Sequence, residues 1–353
     1  MDDLKKLQEI NHILSKLVDG TDLNAKETER LFKTIFTYDT EGHHLAVTLG
    51  AIHAKGETSD ELLGFINAHK ALAAKLSPKI DINKTTDLSG TGGGSFKSIN
   101  VSTAASFVVA AAGYNVLKAA YFAVTSPTGS ADIFKAFGVD IKLLTKASVE
   151  NALERMGICP FNVAFISPGL TNRGRIVSRI LGERQIHVRT PFHLATNTFS
   201  PLPLKYRVYG CYSEQYLDVL AELFTKLGMN RSMVVHANIG LPEFSNVGTT
   251  LVVEQNGIHL KRYILKPANF GIKEAKGEDI QTGGKEQNIQ DFVEILQGIN
   301  KGPKADLVAI NAGMSLYTLN DASSIKKSVE KAKSILETGE AFKKFDALVR
   351  LLK

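Results

Sequence analysis

The sequence predicts an α/β protein with a small N-terminal helical domain and a large domain in which a mostly parallel sheet is flanked by helices. Apolar residues recur at helical spacing through roughly the first 77 residues. Short apolar runs then alternate with helical stretches, which is typical of a largely parallel sheet. The chain of 353 residues is also about twice as long as an ordinary domain.

The N-terminal region is predicted to contain helices at Leu4–Leu17, Ala25–Phe36, His44–Ala54 and Asp60–Leu76. Ser77-Pro78 ends this helical pattern and marks the first domain boundary. We therefore expect a helical domain over residues 1–77, joined by part of residues 168–190, and an α/β domain over residues 78–353.

The alternating region supplies the elements of the second domain. Strands are predicted at Thr85–Ser89, Val116–Lys118, Phe161–Ile166, Gln185–Val188, Ser232–His236 and Ala305–Asn311. The helices between or after them are expected at Asn100–Gly113, Ser130–Phe137, Glu214–Gly228, Asn288–Gln297 and Asp321–Lys353. Asn256-Gly257 is typical of a type I′ turn and predicts a hairpin between Thr249–Glu254 and Ile258–Leu265.

Composition excludes several classes of protein. Hydrophobic residues make up 44% of the chain and charged residues 22%, which fits a globular protein and excludes disorder as its main feature. The longest nearly apolar run, Val101–Gly113, is too short and too polar to cross a bilayer. The charged start of the chain has no apolar signal segment, and two cysteines provide neither a disulfide framework nor a zinc site. We therefore expect a cytoplasmic protein with no membrane partner.

A glycine-rich stretch after the first predicted strand carries the strongest functional signal. Four glycines lie within Gly90–Gly94, and Asn100, Ser102 and Thr103 then open an Ala-rich helix. Glycines let a backbone approach a ligand closely, and a helix N-terminus offers N–H groups to anions. The stretch therefore predicts a phosphate or pyrophosphate site, although it matches neither a P-loop nor G-x-G-x-x-G. A tight turn with a helix cap is the structural alternative.

A second group of polar residues follows the next predicted strand. Lys118 ends that strand and suits a phosphate as a point charge. Thr125 and Ser126 precede a further helix start at Ser130. An ordinary turn with a helix cap explains these hydroxyl residues equally well.

Together these residues resemble the anthranilate phosphoribosyltransferase family, whose motif reads G-T-G-G-D-G, N-I-S-T, K-H-G-N-R and S-S-x-x-G-S-A-D. The matching segments, at the same spacing, are Gly90-Thr91-Gly92-Gly93, Asn100-Val101-Ser102-Thr103, Lys118 and Gly129-Ser130-Ala131-Asp132. Further landmarks follow in order at Val234–His236, Gly240–Ser245, Lys266–Gly271 and Asn311–Tyr317. The resemblance therefore covers essentially the whole chain.

The resemblance implies an activity and a set of site residues. Members of the family bind phosphoribosyl pyrophosphate with magnesium ions and transfer the phosphoribosyl group to anthranilate in tryptophan biosynthesis. They usually form homodimers through the helical domain. Lys118 is the implied catalytic residue and Glu243 the implied Mg²⁺ ligand. The implied ligands of phosphoribosyl pyrophosphate are Gly90, Thr91, Gly92, Gly93, Asn100, Ser102, Thr103, Lys118, Thr125 and Ser126.

The sequence departs from the family at residues that perform the chemistry. Gly94 stands where the family loop has Asp, and only Lys118 remains of K-H-G-N-R. The Asp-Glu pair of the family metal site aligns with Pro242-Glu243. Since Mg²⁺ usually takes one or two carboxylates plus substrate phosphates, Glu243 alone predicts a weakened magnesium site.

The acceptor region is also rewritten and contains five arginines within residues 173–189, namely Arg173, Arg175, Arg179, Arg184 and Arg189. Arginine binds carboxylates and phosphates through paired N–H groups. Arg179 lies one position out of register with the family's substrate-carboxylate arginine and is our candidate acceptor ligand. A solvated helix face is the structural alternative for this cluster.

These observations favour a phosphoribosyltransferase that acts on small molecules, with anthranilate or a related aromatic amine as acceptor. One alternative is a divergent relative with another acceptor. A second is a non-catalytic protein that binds a ligand, or nucleic acid through the arginines, although a net charge of +6 is modest for a nucleic-acid partner. A third is a nucleoside phosphorylase with a similar glycine loop.

Overall fold

Two structural units make up the chain, and each is assembled from two stretches of sequence. The computed structural model describes residues 2–122, 128–183 and 189–353. The first unit comprises Met1–Leu76 and Val163–Pro201, and the second comprises Ser77–Asn162 and Leu202–Lys353. The predicted boundary after residue 77 lies one residue from the observed break. The segment that returns to the first unit is longer than the predicted 168–190.

One sheet forms the centre of the second unit, with strands β1 (Thr85–Gly90), β2 (Asn115–Ala119), β3 (Ile158–Phe161), β4 (Tyr206–Gly210), β5 (Arg231–Ala237), β6 (Thr250–Asn256) and β7 (His259–Leu265). Their order is β3-β2-β1-β4-β5-β6-β7. Strands β1 to β5 pair in parallel, and β6 and β7 continue the sheet in antiparallel fashion. The strand order reverses at β1, and such a reversal leaves a crevice outside the carboxyl ends of the adjoining strands. That crevice lies at the ends of β1 and β4.

Helices account for most of the remaining described chain: α1 (Asp2–Gln8), α2 (Asn11–Val18), α3 (Ala25–Tyr38), α4 (His43–Lys55), α5 (Ser59–Leu72), α6 (Val101–Ala111), α7 (Ser130–Ala136), α8 (Lys146–Met156), α9 (Val163–Ile166), α10 (Thr171–Val177), α11 (Pro191–Ala195), α12 (Leu217–Lys226), α13 (Gly277–Ile280), α14 (Lys285–Leu296), α15 (Pro303–Thr318), α16 (Ile325–Glu337) and α17 (Glu340–Leu352). A π-helical turn spans Ser178–Glu183. Among the described residues, no helix is both long enough and apolar enough to cross a bilayer.

The first unit has an aromatic core. Phe32, Phe36 and Phe65 are fully buried, and the rings of Phe32 and Phe65 meet edge to face at a centroid distance of 5.0 Å. Phe192, from the returning stretch, packs edge to face on Phe65 at 5.1 Å. Edge-to-face contacts of this kind stabilise a core beyond the burial of apolar area. The returning stretch therefore completes the core that α3 and α5 begin.

Several predicted elements are wrong. Ala305–Asn311 is not a strand but part of α15, because a helix buried on most sides also has a continuous apolar run. Phe161–Ile166 divides into the end of β3 and the short helix α9. The predicted strand Gln185–Val188 lies outside the described residues. The helix expected over Leu4–Leu17 is two helices, since the chain turns between Gln8 and Asn11.

The predicted hairpin is present, with its turn displaced by one residue. Asn256 pairs with His259, so Gly257 and Ile258 are the two central residues. Gly257 has a φ of +59°, whereas Ile258 is not among the residues with positive φ. A positive φ at the first central position alone is the pattern of a type II′ turn, in which glycine is preferred. The type I′ prediction is therefore corrected.

Two adjacent strands bury an ion pair between them. Asp87 of β1 is the register partner of Arg207 of β4, and an Arg207 Nη2 to Asp87 Oδ2 distance of 2.6 Å joins the two side chains. Both side chains are at most 2% exposed. The Ser89 hydroxyl donates to the same carboxylate oxygen at 2.7 Å. A buried pair stabilises a fold only while both partners are present, because one charge left alone in the interior is severely destabilising.

We expect Arg207→Met to lower the free energy of unfolding by roughly 3–5 kcal/mol, because Asp87 would remain buried without its counter-charge. The double variant Asp87→Leu/Arg207→Met should lose less than this single variant. Arg350→Met is the control, since Arg350 forms an exposed pair with Asp346, and we expect it to lose under about 1 kcal/mol. Urea unfolding of the full chain measures all three. Equal losses for Arg207→Met and Arg350→Met would contradict this account.

Candidate functional site

Three backbone segments meet at the carboxyl ends of β1 and β4. A Cβ atom on Gly90 would lie 2.7 Å from the Gly210 carbonyl oxygen, and one on Gly210 would lie 1.5 Å from the Pro242 carbonyl oxygen. Such distances leave no space for a side chain, so glycine is required at both strand ends. Because glycine has no side chain, the segments can approach this closely. The loop after β1 therefore lies directly against residues 240–243.

The loop after β1 is fixed at its start and open at its tip. The Thr91 N–H donates to the Gly210 carbonyl at 2.8 Å, and the Thr91 hydroxyl oxygen accepts from the Tyr212 N–H at 2.9 Å. Gly92 and Gly93 have φ values of +61° and +69°, and nothing lies within 4 Å of a Cβ built on Gly92. The tip is therefore accessible, and only its left-handed backbone requires glycine.

Asn100, Ser102 and Thr103, the predicted polar residues at the start of α6, follow this loop in the sequence. Some of them make contacts within the protein. The Asn100 side chain donates to the Gly129 carbonyl at 3.3 Å instead of capping α6. Thr103 is buried. Ser102 lines a cavity of about 10 Å³ together with Ser89 at the end of β1 and Gly210 at the end of β4. The cavity has space for about one water molecule and is too small for a phosphate group.

Lys118 is buried in β2. It is only 4% exposed, and its ammonium donates to the Ala119 carbonyl at 3.3 Å. Burial lowers the pKa of Lys118, while the negative charges of Asp87 and Glu243 act in the opposite direction. The structure thus brings Lys118 and Glu243 into one electrostatic cluster, together with the buried pair of Asp87 and Arg207.

Glu243 is held by its neighbour in the chain. The Asn311 side chain accepts from the Phe244 N–H at 3.1 Å and donates to the Phe244 carbonyl at 2.9 Å, which fixes the backbone beside Glu243. Burial raises the pKa of Glu243 to about 7, and the charge of Lys118 opposes that rise. The carboxyl group therefore exchanges its proton near neutral pH.

The donors around Glu243 do not fit a protein-held magnesium ion. Magnesium requires several oxygen ligands in near-octahedral geometry. Pro242 contributes no side-chain oxygen, and Gly94 contributes none from the loop. Within residues 2–122, 128–183 and 189–353, no three His, Cys, Asp or Glu side chains are grouped so that they could hold a metal. The Mg²⁺ role expected for Glu243 is thus left without a second carboxylate.

The arginine cluster is dispersed in the first unit. Arg179 forms an ion pair with Glu41 at 2.8 Å, so our candidate acceptor ligand already has an acidic partner. Arg173 is buried, with its guanidinium 5.1 Å from the centre of the Phe192 ring. Arg175 is exposed and bonds Asn172. Thr125, Ser126 and Arg184 lie outside the described residues.

Sequence reasoning missed Arg207 and gave Asp87 no role. The reason is that β4 was not predicted: a strand that contains an arginine and two tyrosines resembles a surface segment. The alternation of Arg207 with apolar Val208 and buried Tyr209 is a weak signal for it. Gly210 and Gly240 were also missed, because their role is visible only when distant segments are in contact.

Gly210→Ala should lower the free energy of unfolding by roughly 1–3 kcal/mol or more, since the new methyl group would overlap the Pro242 carbonyl. Gly50 in α4 is a matched control, because nothing lies within 4 Å of its built Cβ. We expect Gly50→Ala to raise stability by roughly 0.4–1 kcal/mol. Denaturant midpoints of the two variants test this, and a neutral Gly210→Ala would refute the close approach.

Glu243 predicts a pH-dependent stability. Burial raises its pKa in the folded protein to about 7, above the ordinary glutamate value of 4.5. Its contribution to stability is therefore fully present below pH 4.5 and is lost as the pH rises through about 7. Glu243→Gln should therefore gain stability relative to the natural protein between pH 5 and pH 8, by on the order of 2 kcal/mol. Urea unfolding at both pH values measures this difference. A difference that is independent of pH would show that Glu243 titrates normally.

Two family models match the chain, one for a helical domain and one for an α/β domain. Residues 11–73 match the helical bundle domain of the Glycosyl transferase family, and residues 83–342 match its a/b domain. An anthranilate phosphoribosyltransferase of Methanococcoides burtonii is 35% identical over 344 residues, which cover 96% of this chain and 93% of the relative. One from Persephonella marina is 32% identical over 96% of this chain and 98% of its own length.

Solved structures agree with this result. The anthranilate phosphoribosyltransferase of Thermus thermophilus superposes with a TM-score of 0.86 at 30% identity, covering 96% of this chain and 98% of that one. The enzyme of Saccharomyces cerevisiae in complex with PRPP and Mg has a TM-score of 0.85 over 98% of both chains, but at 18% identity it supports the fold alone. Because the matched domains occur in order and the relatives align along nearly all of their length, this chain belongs to the anthranilate phosphoribosyltransferase family.

Proposed function

We propose that this protein transfers the phosphoribosyl group of phosphoribosyl pyrophosphate to anthranilate, as a step of tryptophan biosynthesis. The observation that carries the proposal is the glycine loop, which lies where the strand order of the sheet reverses. Anthranilate phosphoribosyltransferases of two organisms align with 96% of this chain. The open tip at Gly92 lets a pyrophosphate group approach the backbone closely. A cytoplasmic homodimer is part of the same proposal.

In this proposal the protein acts by positioning and by charge. Departure of pyrophosphate leaves an oxocarbenium-like ribose, and fixed donors and cations stabilise the growing negative charge on the leaving group. Asn100, Ser102 and Thr103, at the start of α6, are proposed ligands of phosphoribosyl pyrophosphate, and the buried Lys118 contributes positive charge. Thr125 and Ser126 remain proposed phosphate ligands. Transfer to the amine of anthranilate then needs no covalent intermediate on the protein.

A relative with a different aromatic amine as acceptor is the second candidate. One observation favours it: Arg179, the candidate for the acceptor carboxylate, is already paired with Glu41. Nucleic-acid binding has less support, because Arg173 is buried and Arg179 is neutralised, so these described arginines do not provide one exposed basic face.

We expect anthranilate fluorescence to fall on addition of phosphoribosyl pyrophosphate, with a turnover below ~1 s⁻¹ because residues that stabilise charge in the family are absent. Lys118→Met should lower kcat/KM by about 10²-fold. The exposed Lys343→Met is the control and should leave the rate unchanged. Ser102→Ala provides a second site variant should Lys118→Met unfold, which a thermal melt detects.

Assays of pyrophosphate release and of DNA binding separate the candidates. Release of pyrophosphate with another aromatic amine, but not with anthranilate, would favour the second candidate. If no amine supports release of pyrophosphate, or if labelled single-stranded DNA binds in a salt-sensitive manner while the transferase assay is silent, the proposed function is wrong.

A further inference from the structure

Two departures from the family motif meet in one contact. Gly94 replaces the loop Asp, and Pro242 replaces the Asp before Glu243. A Cβ atom on Gly94 would lie 2.5 Å from Pro242 Cδ and 2.5 Å from the Gly240 carbonyl oxygen. The proline ring therefore occupies the space through which a side chain at position 94 would leave the loop. The two positions at which the sequence departs from the motif are therefore in direct contact.

The contact extends along both segments. Gly240 has a φ of +84°, and a Cβ built on it would lie 1.9 Å from Ser95 Oγ. The Phe96 N–H donates to the Gly240 carbonyl at 3.3 Å. Residues 94–96 are thus packed directly on residues 240–242, backbone against backbone. A magnesium ion with its shell of oxygen ligands and waters has no space between the two segments.

A lysine supplies positive charge at this place. The Lys97 ammonium donates to the Gly94 carbonyl at 2.9 Å, so a cation lies on the residue that replaces the family carboxylate. Lys97 is partly buried, and an ammonium has three donors, of which the Gly94 carbonyl takes one. Charge-assisted bonds from lysine to phosphate oxygens are strong, and they need no carboxylate and no metal.

We propose that this chain binds the pyrophosphate of its substrate through Lys97, which acts in place of a metal ion held by the protein's own carboxylates. Any magnesium that takes part enters bound to the substrate. This inference rests on the proposed function, because it assigns the cation that meets the pyrophosphate group in the same site.

Calorimetric titration of the full chain with phosphoribosyl pyrophosphate and with inorganic pyrophosphate tests the proposal, in excess EDTA and in excess Mg²⁺. The dissociation constants of the natural protein should differ by less than about threefold between the two conditions. Loss of a metal-dependent interaction worth about 1.4 kcal/mol would instead raise the dissociation constant roughly tenfold in EDTA. Lys97→Met should weaken binding about tenfold or more in EDTA, and Lys97→Arg should retain most of it.

Lys276→Met is the matched control. It removes the same charge from the same unit, close to the loop, since a Cβ on the adjacent Gly277 would lie 3.5 Å from the Phe96 ring. The Lys276 side chain is 80% exposed and lies 3.6 Å from the similarly exposed carboxylate of Glu278. We expect this variant to bind pyrophosphate within twofold of the natural protein. An equal loss in both lysine variants would indicate general charge attraction and overturn the role of Lys97.

A reconstruction provides the opposite test. Gly94→Asp/Pro242→Asp restores both carboxylates and removes the proline ring, so its binding should become at least tenfold tighter in Mg²⁺ than in EDTA. Gly94→Asp alone should lower the urea midpoint more than it does in the Pro242→Asp background. The inference is overturned if EDTA abolishes binding by the natural protein while Lys97→Met leaves binding in Mg²⁺ unchanged. It is also overturned if the natural protein does not bind in either condition. Metal-independent binding through Lys97 without any transfer to amines would contradict only the proposed function.

Discussion

The close approach of three backbone segments at the end of β1 is the constraint on which the candidate site depends. Gly90, Gly210 and Pro242 leave no volume for intervening side chains, so the loop is positioned by backbone contact. Side-chain contacts allow rotamer changes, whereas backbone contacts of this kind do not. The start of the loop at Thr91 is consequently held in one arrangement by its bonds to Gly210 and Tyr212, and such pre-organisation is the condition for electrostatic stabilisation without reorganisation.

The charges beneath the loop form a second constraint. Asp87 and Arg207 neutralise one another across neighbouring strands, which leaves Lys118 and Glu243 as the variable part of the cluster. With Glu243 ionised, the four groups sum to zero; with Glu243 protonated, they sum to one positive charge. Burial raises the pKa of Glu243 to about 7, so the charge of the cluster changes near neutral pH. A nearby anion would favour the protonated state, because the cluster is then positively charged.

The parts of this protein that sequence predicts are those whose cause is local. Glycine density located the loop, helical spacing located most helices, and Asn256-Gly257 located the hairpin to within one residue. The missed features depend on contacts across the chain. Arg207 is acceptable inside a sheet only because Asp87, 120 residues earlier, lies opposite it. The run Ala305–Asn311 is apolar because its helix is buried among others, and no local pattern distinguishes that from a strand.

The pairing of Gly94 with Pro242 shows why the two changes belong together. A carboxylate at position 94 would be held against the Gly240 carbonyl, and an unpaired buried charge is severely destabilising. Loss of both carboxylates, with the proline ring filling the space, removes that penalty and closes the gap between the segments. A tethered ammonium brings one positive charge where a metal brings two, but it requires no shell of oxygen ligands. The packing of residues 94–96 on residues 240–242 is therefore compatible with the proposed binding of pyrophosphate by Lys97.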